Sequence, residues 1–145
     1  MASIEVRGAE QFNELAARLR KARGELKPEL YDALERAAPP LERAATRSAA
    51  ANLPRRGGLN ALVASAGMSH QRRVGGIHIV ARGITQLRLT NDGAVRHPVY
   101  GEPGTWVGQL IPKAKDWFTK PIHDGAPKVR EELKKALDTI ARKIA

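Results

Sequence analysis

Apolar residues recur at two spacings along this chain, and each change of spacing marks an element. Ile4 and Val6 alternate with polar neighbours in SIEVRG, which predicts a short strand ended by Gly8. Phe12, Leu15 and Leu19 then recur at helical spacing up to Gly24. A second helical run begins after Lys27, with Pro28 near its first turn, Glu29 and Asp32 early, and Leu30, Leu34 and Ala38 on one face. Pro39-Pro40 predicts an interruption or kink before the Ala-rich LERAATRSAAANL resumes, giving one long bent helix or two joined ones.

Residues 54–76 read PRRGGLNALVASAGMSHQRRVGG, a Gly-bracketed segment with a short apolar patch at Leu59, Leu62 and Val63. It predicts a flexible loop, or a small helix hung between flexible ends, and long loops in small domains are usually functional. Ile77, Ile79 and Ala81 next alternate in GIHIVARG, as do Thr85, Leu87 and Leu89 in ITQLRLTNDG, so a hairpin turning at Arg82-Gly83 is expected. Asn91-Asp92-Gly93 is a further turn signal, and AVRHPVYG reads as a third short strand placed at an edge by Pro98. After an irregular Pro- and Gly-rich stretch, Asp124 as cap and Pro127 in the first turn predict a closing helix with Val129, Leu133, Leu137, Ile140 and Ile144 in one stripe. The order predicts an α+β fold: a small antiparallel sheet packed against an N-terminal helix, a long Ala-rich helix and a C-terminal helix, as one domain spanning 1–145.

At 145 residues the chain is long enough to bury a core unaided, and with no Cys it offers no disulfide, thiolate metal site or Cys nucleophile. Its beginning has no basic region followed by an apolar run, and no stretch approaches membrane-spanning length, so a soluble protein made in the cytoplasm is expected. Aromatics are only 4% of residues, leaving the core to Ala, Leu, Ile and Val. The net charge is +10, and from Arg43 to Arg96 nine arginines face the single acid Asp92, so this segment holds eight of those charges. Polyanions or acidic surfaces are the implied neighbours.

Catalysis finds little support. His70, His78, His97 and His123 show no metal-ligand spacing, the glycines match no nucleotide cradle, and no nucleophile, base and orienting group occur together. No catalytic residue, metal or cofactor is therefore expected. Arg55, Arg56, Arg72, Arg73 and Arg82 are candidate contacts for a polyanion or nucleic-acid backbone, without the recognition helix or stacking positions of a sequence reader. Tyr100, Trp106, Trp117 and Phe118 are framed by Pro98, Pro103, Pro112 and Pro121. Such stiffly held amphipathic side chains favour interfaces. Tyr100, Trp106 and Trp117 are read as interface and Phe118 as core, the other reading being that Trp117 lids the core beneath the last helix.

The succession of an N-terminal helix with Phe12 and Leu15, a long Ala-rich helix ending in LPRRGGL, a strand pair, VRHPVYG, a Trp-centred stretch, WFTKPI and VREELKKALDTIARKI resembles the minor tail, or tail-completion, proteins of long-tailed bacteriophages. The resemblance covers nearly the whole chain and rests on the order of the motifs. It implies a structural subunit of a homo-oligomeric ring in the phage neck, expected as a hexamer, joining tail to head as a completion, terminator or connector protein. Its implied partners are copies of itself, the head connector and the tail tube, with non-specific contact to passing DNA and no membrane. Its implied location is the host cytoplasm during assembly and then the virion. Ring subunits need two complementary surfaces. The Pro-framed aromatics would supply one, and the 54–76 segment with Leu59, Leu62 and Val63 would order against a neighbour. The competing reading is a small basic protein that binds nucleic acid non-specifically.

Overall fold

A computed structural model of the chain describes residues 3–7 and 26–144, with side-chain surroundings over 28–142. The helix predicted around Phe12, Leu15 and Leu19 lies outside the described residues.

The central element is α1, Leu26–Asn52, one helix that runs through Pro39 and Pro40. Two prolines remove two helical donors, at a cost of about 3 kcal/mol or more each in a helix interior. Burial on both sides of the pair holds the helix continuous. Leu30, Leu34 and Ala38 before it, and Leu41, Ala45 and Ala49 after it, form one buried stripe, while Pro40 faces solvent. Against this stripe packs α4, Thr119–Ile144, through Val129, Leu133, Ala136 and Ile140. The small alanines let the two helices approach closely: a Cβ on Gly125 of α4 would overlap the Leu41 side chain. The predicted stripe is thus present, but α4 begins at Thr119, ahead of the expected Asp124 cap, and Pro127 lies inside it.

The strands form two separate antiparallel sheets. In the first, β1 (Ser3–Arg7), β2 (Met68–Arg73) and β3 (Gly76–Ala81) lie in the order β1-β3-β2. The central β3 presents Ile77, Ile79 and Ala81 to the core beside α1. Its hairpin partner is β2, in register from Met68↔Ala81 to Arg73↔Gly76, with the turn at Val74 and Gly75. Gly75 sits at φ +83°, where a residue without Cβ is favoured.

This corrects the expected hairpin. The turn was placed at Arg82-Gly83, whereas the second of its proposed strands contains α3, Leu87–Asn91. The residues turned inward there are Leu87, Thr90 and Asn91, a helical spacing that includes two polar groups. Of the two readings of 54–76, the small helix between glycines is the one present, as α2 (Leu59–Ala66) between Gly58 and Gly67, while the flexible loop is replaced after Gly67 by β2. MSHQRR carries no alternating apolar face, so its strand character arises from pairing with β3 and polar contacts to α1.

The second sheet contains only β4 (Ala94–Pro98) and β5 (Trp106–Leu110), paired from Ala94↔Leu110 to Pro98↔Trp106. AVRHP is therefore a strand as expected, in a hairpin of its own. A single turn of 3-10 helix, Pro112–Ala114, leads from β5 towards α4.

Candidate assembly surface

The β4–β5 hairpin has an ordered base and an exposed shaft. At the base, the Ile111 amide donates to the Gly93 carbonyl at 2.6 Å and the Asp116 amide to the Asn91 carbonyl at 2.7 Å. Gly93 sits at φ +85°, and a Cβ there would meet the Ile111 oxygen at 3.2 Å. Asp116 adopts φ +60°, a rare region for a residue with a side chain, which redirects the chain so that Trp117 and Phe118 turn inward. Asn91 then caps α4. Its Oδ1 accepts from the backbone amides of Phe118 (3.0 Å) and Thr119 (3.1 Å), and its Nδ2 donates to Thr119 Oγ1 (3.2 Å). A side chain from a distant helix thus satisfies donors that a local Ser, Thr, Asp or Asn would ordinarily serve.

The polar set continues inward. Trp117 Nε1 donates to Thr90 Oγ1 at 3.2 Å, Thr90 donates within α3 to Leu87 and Gln86 carbonyls, and Ser48 of α1 donates to the Trp117 carbonyl. Trp117 is 1% exposed and meets Phe118 edge-on, with ring centroids 5.4 Å apart. The interface assignment of Trp117 is thereby corrected: the ring is a core wedge joining α1, α3 and α4. Val63, another interface candidate, is fully buried on the inner side of α2, whose close neighbour is Gly83; a Cβ on that glycine would lie 2.8 Å from Ala66 Cβ and 3.0 Å from the Leu62 oxygen. Leu59 is half-buried against the core, and Leu62 is exposed.

Beyond its base the hairpin leaves the core. Every residue of β5 is exposed, including Trp106 (51%), Val107 and Leu110 (80%). The tip is closed by the Val99 amide on the Thr105 carbonyl at 2.9 Å and turns through Gly101 and Gly104 at φ +83° and +82°. Tyr100 projects from it at 103% exposure, clear of the rest of the chain. Tyr100 and Trp106, the sequence's interface candidates, both lie exposed on this arm, beside Val107 and Leu110, which the sequence did not single out. β5 itself falls in the stretch expected to be irregular, because WVGQL, exposed along its whole length, carries no half-buried alternation.

The arginines divide into bound and open sets. Arg72 donates through Nε and Nη2 to Glu35 at 3.0 Å each and through Nη2 to Asp32 at 3.2 Å, with its Cζ 5.0 Å from the Tyr31 ring centre. These hydrogen bonds, above all, hold the Glu35 carboxyl below its ordinary value and push Arg72 above its own. The Tyr31 hydroxyl donates to the Arg73 carbonyl and accepts from the Gly75 amide, clamping the β2–β3 turn onto α1. Arg73 contacts Gln71, and Arg82 Nε donates to Ser69 Oγ. Arg72, one of the candidate polyanion contacts, thus has its guanidinium engaged with two acids of α1, joining β2 to α1 while its side chain stays 46% exposed. Arg55 and Arg56 are exposed in the turn before α2, as are Arg36, Arg43 and Arg47 on α1. No hydrogen bond or ion pair ties these five side chains to other described residues.

The histidines are scattered. His70 Nδ1 lies 2.5 Å from Glu42, His97 Nδ1 is near the Pro98 carbonyl, His78 is half-buried on β3, and His123 is exposed on α4. Among the described residues no three His, Asp or Glu side chains form a metal-type cluster.

A second surface feature lies on α1 and α4. It is a groove of about 540 Å³ lined by Ala37, Pro40, Leu41, Ala44, Pro121 and Gly125, between charged rims. Small and ring-closed side chains leave this hollow. Its sequence signal was the same Ala and Pro content read only as core and kink. No helix among the described residues is long and apolar enough to cross a membrane. No family model, curated protein or solved structure matches the chain.

Proposed function

We propose that the chain is a structural subunit that assembles with copies of itself through the β4–β5 arm, in the setting its sequence resembles: a homo-oligomeric ring in the neck of a long-tailed phage, joining tail to head without catalysis. The observation that carries this reading is the arm itself, with Tyr100, Trp106 and Leu110 exposed above a hydrogen-bonded base. An isolated two-stranded hairpin is marginally stable in water. Exposed Trp and Tyr on such an element supply the interface energy that a neighbouring surface would realise.

The open arginines favour a secondary property of the same subunit. Arg36, Arg43 and Arg47 follow one side of α1, and Arg55 and Arg56 lie beyond its end, so DNA passing nearby would be attracted through its phosphates without base reading.

Light scattering of the purified protein at low and high salt, with and without a short duplex, tests both. Self-assembly without DNA is expected, and Trp106→Ala should weaken it at least tenfold while leaving the melting temperature within about 2 °C. Equal loss of folding and assembly would refute the arm as the interface. DNA association, where present, should fall steeply with salt. Salt-insensitive or absent binding would remove the DNA contact.

A further inference from the structure

We propose that the tip of the β4–β5 arm seats in the α1–α4 groove of a second copy of the chain, with the Tyr100 ring in the hollow beside Ala44 and Gly125. This inference rests on the self-assembly reading and adds the identity of the receiving surface.

Three observations converge on it. First, shape: the groove, of about 540 Å³, has a floor of Ala37, Pro40, Leu41, Ala44, Pro121 and Gly125 with no aromatic side chain in it, while Tyr100 is a large aromatic side chain that is fully exposed. Pockets of this size take a large aromatic anchor, and Tyr is enriched among residues that dominate interface energy. Second, reach: strands of five residues at about 3.4 Å per residue give the arm a shaft of about 17 Å, which carries the tip well clear of its own base.

Third, charge. The tip carries the acid Glu102 and the shaft the base Arg96, both exposed. The groove is bordered on its α1 side by Arg36 and Arg47 and on its α4 side by Asp124, Glu131 and Glu132 with the single base Lys128, so the two rims are opposite in net charge; Arg36, Arg47, Asp124 and Glu131 are exposed with no ion pair to other described residues. An arm laid across the groove sets Glu102 against the α1 arginines and Arg96 against the α4 acids. Turned end for end, it would face like charge with like, so the pairing selects one direction of entry. Arm and groove are different patches of one chain, so the contact is head-to-tail and generates a ring where the rotation closes and a filament where it does not.

The chain's lack of cysteine makes the test direct. Two single-cysteine variants, Pro103→Cys at the exposed tip, which keeps Tyr100, and Ala44→Cys, are mixed and treated with a short bismaleimide, and denaturing gels score the covalent pair; Pro103→Cys mixed with Thr139→Cys, a position on α4 outside the groove lining, is the control. Light scattering of the wild type and of Tyr100→Ala runs alongside. The proposal expects a 103–44 product at least tenfold above the control and a loss of association on Tyr100→Ala of about 30-fold. Charge reversal at Glu102→Arg should weaken association and combining it with Arg47→Glu should restore part of it. An assembled wild type with no preferential 103–44 product overturns the groove as receiver and leaves self-assembly standing. A wild type that stays monomeric at millimolar concentration overturns both.

Discussion

The Asn91 side chain is the point at which fold and arm are tied together, and Asn91→Ala tests that directly. The substitution removes the Oδ1 that accepts from the Phe118 and Thr119 amides and the Nδ2 that donates to Thr119, at a residue only 9% exposed. Loss of a capping side chain costs about 0.5 to 2 kcal/mol, and leaving a buried donor without a partner adds about 1 to 3 kcal/mol. Because the two costs describe overlapping bonds, a total of about 2 to 3 kcal/mol is expected. For a domain of this size that lowers the melting temperature by about 6 to 12 °C. The assay is reversible thermal or urea unfolding followed by circular dichroism. Asn91→Asp is the informative companion: it keeps the acceptor and places negative charge at the α4 N-terminus, so it should lose less than half as much as Asn91→Ala. Equal losses for Asp and Ala, or a loss below about 1 kcal/mol for Ala, would refute the capping account.

Two further perturbations probe the packing and the charge seam. Gly83→Ala puts a Cβ against Ala66 Cβ and the backbone of Leu62 and Val63, none of which is a flexible side-chain end, and should cost about 1 to 3 kcal/mol in urea unfolding; a neutral or stabilising result would show that α2 yields freely. Glu35 has a folded-state pKa below its ordinary 4.5, so its contribution is present above that value and disappears as pH falls through the depressed one. Both Glu35 and Arg72 are substantially exposed, so the contribution at neutral pH stays well under about 1 kcal/mol. The difference in stability between wild type and Glu35→Gln should accordingly shrink as pH is lowered below 4.5. A difference that grows on acidification would contradict the sign.

The long helical stripes were legible because they are local and periodic. Leu30, Leu34 and Ala38, with Val129, Leu133 and Ile140, repeat at helical spacing, and the same residues meet in the core. The α+β class and the strands β1, β3 and β4 were equally readable, since their alternation is local too. The Trp117 ring was not assignable from composition. Its burial depends on Asp116 adopting a left-handed conformation and on Thr90 lying within reach of the indole nitrogen, 27 residues earlier.

The sequence by itself determined which segments carry helical faces, where cations gather and which aromatics are held in a non-helical path, because these follow from residue type and near-neighbour spacing. Only the tertiary structure decided the rest. MSHQRR became a strand because β3 offered it a partner and α1 offered Glu42, Asp32 and Glu35 to His70 and Arg72. LRLTN became a helix because its Thr and Asn answer donors on Trp117 and α4. Pro39 and Pro40 left α1 whole because burial on either side exceeded their local cost. In each case a long-range polar or packing contact outweighs a local preference of about 1 kcal/mol or a few, and such contacts have no signature within a short window of sequence.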